Sequence, residues 1–212
     1  MDLASADEWD GEAVVGSDLT GCVAEHVEIA ACELRGVQLT GAELEHLRIV
    51  DVVARDCELS GTIAHGCSIV RVEFHNCRMT GLVLSEAKLS NVRFVDCKLD
   101  DANFRFLVGD QVVFDRCSLI DAEFYGATLE STEFDSCDLT RAQFSKATVE
   151  GVRLTGSTVD GLRGASGLSG VVIGSEQVLP LALSVFTDLG IVIEYGDGDG
   201  DDVTVSLEER RP

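Results

Sequence analysis

The sequence predicts an all-β solenoid, one chain coiled around its own core, and three observations predict it. Every fifth residue from Val14 to Val159 is apolar through 30 consecutive positions without an insertion; Gly109 alone lacks an apolar side chain. Two residues before each, from Ser17 to Ser157, stand only Ala, Cys, Val, Leu, Ser or Thr. Neither the helical period nor the strand period sustains that pattern. Two inward positions in five describe a short extended stroke, then a corner, then another stroke. The third observation is a longer period. Gly21, Gly41, Gly61 and Gly81 recur at one fixed interval, and so do Cys57, Cys77, Cys97, Cys117 and Cys137. That interval is four units of five. One coil is therefore four strokes and has four sides.

The elements follow in order. Residues 1–11 form an N-terminal cap or tail, with Trp9 as a lid on the first coil. The regular repeat runs over 12–161 and its register decays by 174. That is about 7.5 coils and, at a ladder spacing of about 4.8 Å, a rod about 36 Å long. The recurring glycines mark one corner, where a turn asks for positive φ. Phe94, Phe104, Phe114, Phe124, Phe134 and Phe144 fill the core of the later coils. At Gly109 the sequence predicts a local distortion, with Leu107 or Val108 turned in to fill the space.

Solenoid ends expose core and ladder, so they need caps. Residues 175–195 read as a helix and a short strand, Ile191–Tyr195. Ser175 is the expected N-cap, Glu176 stands in the first turn and Gly190 is the stop. Pro180 holds the regular helix to a start near it. Val178, Leu179, Leu181, Ala182, Val185, Phe186 and Leu189 make a wide apolar face. That face can cap the last coil, or cap it and join two chains. Residues 196–212 read as an acidic tail rich in Gly.

Charge narrows the partners. The chain has 38 Asp and Glu against 16 Lys and Arg, a net charge of −22. Such a chain repels a phosphate backbone and favours a basic protein. No apolar run reaches the length of a membrane span. The start, MDLASADEWD, has no apolar h-region, so the cytoplasm is the expected compartment.

The residues able to carry chemistry read as structure. Cys22, Cys32, Cys57, Cys67, Cys77, Cys97, Cys117 and Cys137 all fall on inward positions. Thiols in one column point the same way and do not converge as a disulfide requires, so they read as buried free cysteines. His26, His46 and His65 lie at successive corners but match no metal motif. Asp197, Asp199, Asp201 and Glu208 fit positions 1, 3, 5 and 12 of a calcium loop, yet Asp202 stands where Gly is required. No nucleophile–base pair or phosphate loop stands out, so no enzyme, cofactor or metal is expected.

The units CKLDD (97–101), ANFRF (102–106), AEFYG (122–126), CDLTR (137–141) and AQFSK (142–146) resemble pentapeptide repeats. The resemblance implies a right-handed quadrilateral β-helix. It also implies a function, because quinolone-resistance members mimic DNA and occupy the DNA saddle of gyrase or topoisomerase IV. They dimerise through a C-terminal helix, which implies a homodimer here through Val178, Leu181, Ala182, Val185, Phe186 and Leu189. The charge of residues 12–161 is −12, from 25 acids and 13 bases. The densest band is Asp100, Asp101, Asp110, Asp115, Asp121, Glu123, Glu130, Glu133, Asp135 and Asp138, with only Arg105 and Arg116 among them. These ten acids are the expected partner-binding residues. The other reading is a general interaction scaffold for a different basic protein.

Overall fold

The computed structural model describes residues 3–192. The end of the expected strand and the acidic tail, with its four candidate calcium ligands, lie outside the described residues. The rest is a right-handed β-solenoid closed by one C-terminal helix. Strands pair in parallel at a constant offset of one coil, as in Ile49 opposite Ile69 and Phe94 opposite Phe114. Successive N–H groups of a stroke donate to opposite neighbouring coils: Asn103 N–H bonds Leu82 O at 2.8 Å in the coil before, and Phe104 N–H bonds Glu123 O at 2.8 Å in the coil after. The ladder begins before the regular repeat, with Glu8–Asp10 paired to Glu28–Ala30. It ends at Arg153 opposite Val172, where one residue has been dropped from the register.

Corners follow from the same arithmetic. The second residue after each central position lies in the left-handed region, at φ 53–57° for Asp51, Arg71 and Asn91. Asp, Asn and Ser are common there because short polar side chains tolerate that conformation best after glycine.

The core is built of columns. Phe74, Phe94, Phe114 and Phe134 stack on one side with centroids 4.9–5.1 Å apart. Phe104, Phe124 and Phe144 stack on the opposite side at 4.8 Å. The two stacks meet edge to face, for example Phe114 against Phe124 at 6.2 Å and 85°. Earlier coils are packed less fully. An apolar cavity of about 50 Å³ lies among Leu34, Leu39, Ala54, Leu59, Ala64 and Met79. Ala54 and Ala64 stand in the columns that later hold phenylalanine, which leaves the space.

Gly109 causes no distortion, contrary to expectation. It pairs in register with Leu89 and Leu129, and Val108 faces solvent. Leu107 is buried at its own inward place. A Cβ on Gly109 would stand 3.3 Å from both Leu129 Cδ2 and Val112 Cγ2, so neighbouring side chains already occupy the space.

All eight cysteines are free thiols, seven buried and Cys22 half-buried. Cys97, Cys117 and Cys137 each donate to a carbonyl of the phenylalanine column, at 3.3–3.5 Å from Phe74, Phe94 and Phe114 O. Ser157 continues the column with the same bond, to Phe134 O at 3.0 Å. Burial pushes the Cys67 thiol up to about 12.

Two outcomes are expected. Phe114→Ala removes a ring stacked on two faces and should cost about 3–5 kcal/mol in a denaturant titration; an unchanged midpoint would refute the stacked core. Native-state thiol labelling should modify Cys22 first, the other seven reacting only on unfolding, because buried thiols are inert.

Candidate protein-binding surface

A coil of fixed length sets each surface residue beneath its counterpart in the next coil. Charge pairing follows that rule. Arg48 bonds Glu28 at 3.0 Å. Arg71 grips Asp51 with two bonds of 2.6 and 2.7 Å, Arg116 grips Asp96 at 2.8 and 3.0 Å, and Arg141 grips Asp121 at 2.9 and 2.5 Å. The Arg141 hydrogen bonds hold the Asp121 carboxyl below the usual carboxylate range.

The ten expected acids do not form one surface; the coil spreads them over all four sides. Asp121 is bound to Arg141, and Glu123 pairs with Arg105 at 3.3 Å. Asp100 accepts from the Ser118 hydroxyl and from Ile120 N–H at 3.2 Å, with Lys98 Nζ at 3.4 Å. Asp138 turns onto Thr140. Asp101 lies exposed at a corner beside Leu99, away from the remaining acids.

Those remaining acids gather on two adjoining sides. Asp110, Glu130 and Glu150 stand in one column, as the register pairs Asp110 with Glu130 and Glu130 with Glu150. Asp115 and Asp135 stand in a second column around the next corner, with Glu133 beside them. Asp110, Glu130, Glu133, Asp135 and Glu150 have no ion-pair partner among the described residues, and Asp115 meets Arg116 at 2.6 Å. Glu150 falls outside the expected band, although its place one coil after Glu130 marks it. Two columns of one charge per coil give about one charge per 2.4 Å, against about one per 1.7 Å in B-DNA.

Away from this edge, His26 and His46 stack with centroids 4.6 Å apart. His65 instead bonds Ser85 Oγ at 2.9 Å, so the three imidazoles do not converge.

The C-terminal helix α1, Val178–Asp188, follows a 3-10 turn at Ser175–Gln177. Its start is held by Gln177 rather than the expected Ser175. The Gln177 amide donates to Leu154 O and, at 2.6 Å, to Ser157 O, and its Oε1 accepts from Gly174 N–H at 2.7 Å. Pro180 is accommodated in the first turn, where its missing N–H has no helical partner to lose. At the other end Asp188 accepts from Gly164 and Ser166 N–H at 3.2 and 3.0 Å. The helix thus satisfies open backbone groups of the last coil. Its expected apolar face divides in two. Leu181 and Val185, two of the expected dimer residues, are half-buried against the rod's core. Val178, Leu179, Leu183, Phe186 and Leu189 point outward, Leu179 being 69% and Leu183 45% exposed.

Two family models match the chain: pentapeptide repeat region over residues 47–124 and pentapeptide repeats (8 copies) over 111–157. This protein belongs to the pentapeptide repeat family. Its fold resembles that of a trypsin-treated variant of QnrB1, a plasmid-mediated fluoroquinolone resistance protein, with a TM-score of 0.55 and 19% identity. The match covers 92% of this chain and 99% of that one. HetL, a pentapeptide repeat protein involved in heterocyst differentiation regulation from the cyanobacterium Nostoc sp. strain PCC 7120, aligns with a TM-score of 0.29 and 16% identity over 79% of this chain and 90% of its own. No curated protein matches the chain. No helix among the described residues is long and apolar enough to cross a membrane.

Proposed function

We propose that this pentapeptide repeat protein is a non-enzymatic DNA mimic that binds a type II topoisomerase, DNA gyrase or topoisomerase IV, in the cytoplasm and modulates it. The carrying observation is the unpaired column Asp110–Glu130–Glu150 beside Asp115 and Asp135. Like charges stacked on neighbouring strands repel one another. They favour a partner that brings the opposite charge, and a DNA-binding saddle does so. The axis of the later coils is filled by side chains, so these coils offer a partner a surface rather than a pocket. Protection against fluoroquinolones is the consequence to look for, because QnrB1 is described as a resistance protein.

Supercoiling inhibition tests the reading. Purified protein should inhibit gyrase at micromolar concentration, more weakly as salt rises, because screening weakens exposed charge pairs. Asp110→Asn, Glu130→Gln and Asp135→Asn together should weaken inhibition, whereas deleting 197–212 should change little. No effect of the wild-type protein on supercoiling would overturn the reading and favour a scaffold for another basic partner.

The reading includes a homodimer joined through Val178, Leu179, Ala182, Leu183, Phe186 and Leu189, which doubles the rod for a two-fold saddle. Leu183→Glu or Phe186→Glu should then yield a monomer by light scattering with the rod intact. Leu181→Glu should instead loosen the cap and lower the melting temperature. A wild-type monomer at micromolar concentration would end the dimer proposal.

A further inference from the structure

One exposed side chain breaks the surface rule. Among the described residues, the non-glycine left-handed corners carry polar or charged residues or alanine, except at Phe106, φ 57°. Phe106 is 49% exposed, and Val108, two residues on, is 47% exposed. A large apolar residue in that conformation contributes no core burial in exchange for its backbone strain, and such strain is retained where it serves a function. The ring is also held in place. It lies over Gly126, where a Cβ would come within 2.7 Å of Phe106 Cε1. Tyr125 meets it edge on, with centroids 5.7 Å apart at 88°. Tyr125 is itself steadied by Arg105 and Lys146, whose charges lie 5.0 and 5.1 Å from its ring centroid.

Phe106 and the acidic column share one side of the rod. That side, from Phe106 to the next corner at Gln111, carries Val108, Thr128 and Thr148 in one row and Asp110, Glu130 and Glu150 in the next. In these three coils the outward residues between its two corners include no cation; Lys146 stands in the corner column of Phe106 two coils on, Arg105 lies behind that corner, and Lys88 lies one coil earlier. A flat side with a held aromatic ring at one margin and unpaired carboxylates at the other has the make-up of an interface with a buried anchor and a charged rim.

We infer that Phe106, with Val108, is the apolar anchor of the partner interface, inserting into an apolar pocket on a basic protein surface whose cations meet Asp110, Glu130 and Glu150. The inference rests on the DNA-mimic reading for the partner's identity. It adds what a pure charge mimic lacks: a contact that DNA cannot reproduce, and so a means of selecting one basic partner over another.

Binding kinetics with immobilised gyrase test it, using the full chain. Phe106→Ala and Phe106→Gly should each speed dissociation about tenfold or more while leaving association and its salt dependence unchanged. Asp110→Asn with Glu130→Gln should mainly slow association and flatten its salt dependence. Phe106→Gly should melt no lower than wild type, since glycine suits the left-handed corner, so a binding loss there is not a folding loss. Wild-type dissociation rates in both Phe106 variants, with gyrase binding intact, would overturn the anchor and leave the DNA-mimic reading standing. No binding by the wild-type chain would overturn both.

Discussion

The one-coil register between hydrogen-bonded neighbours is the constraint on which the rest of the molecule depends. It makes like residues stack on like residues, about 4.8 Å apart. In the core this is favourable: phenylalanine columns gain contact on both ring faces, and thiols bond the carbonyls of the column beside them. On the surface the same rule forces a choice at every position. Where an arginine lies one coil from an acid the two are placed to pair, as Arg71 does with Asp51 and Arg141 with Asp121, although Arg153 and Glu133, also one coil apart, form no ion pair. Where an acid lies one coil from another acid it becomes a repulsion.

That second outcome gives the acidic edge its significance. A net charge of −22 says little alone, because residues 12–161 carry only −12 of it and the remaining −10 lies in the end segments. Asp110, Glu130 and Glu150 differ because a less repulsive arrangement was available in the fold's own terms: a basic residue at the middle position would face an acid on each side. Retaining three acids there forgoes that arrangement. A protein optimised only for solubility would gain as much from acids dispersed over all four sides.

Much of this is legible in the sequence, since a fixed period converts sequence position into place. The inward residues, the phenylalanine columns and the free cysteines all follow from counting in fives and in whole coils. Counting in coils also sorts the ten acids by side, and it shows that Asp121 has Arg141 above it while Glu130 has Glu150. What period alone does not reach lies where the period stops. Gln177 and Asp188 hold the helix by bonding backbone groups of the last coil, and no pattern within the helix distinguishes Asp188 from a solvated acid. The helix's apolar arc is visible, but how it divides between Leu181 and Leu183 depends on the angle at which the helix lies across the rod end. Gly109 departs from expectation because the space at an empty central position is not set within its own coil alone; Leu107, Val112 and Leu129 close it from around.

The two ends of the solenoid differ in how tightly they are packed. The N-terminal coils carry alanine where the later coils carry phenylalanine, and they enclose a small apolar cavity. The C-terminal coils hold both phenylalanine stacks, the cap bonded at both of its ends, the unpaired acids and the held ring of Phe106. Tight packing and the candidate interface therefore coincide. A rigid backbone keeps stacked carboxylates at fixed spacing despite their repulsion, and it holds an aromatic ring outward at a strained corner. Both features are preorganised before a partner arrives, which lowers the ordering cost of binding. A solenoid with the same charge but a loose core could relax its acids apart, and the resemblance to a polyanion would go with them.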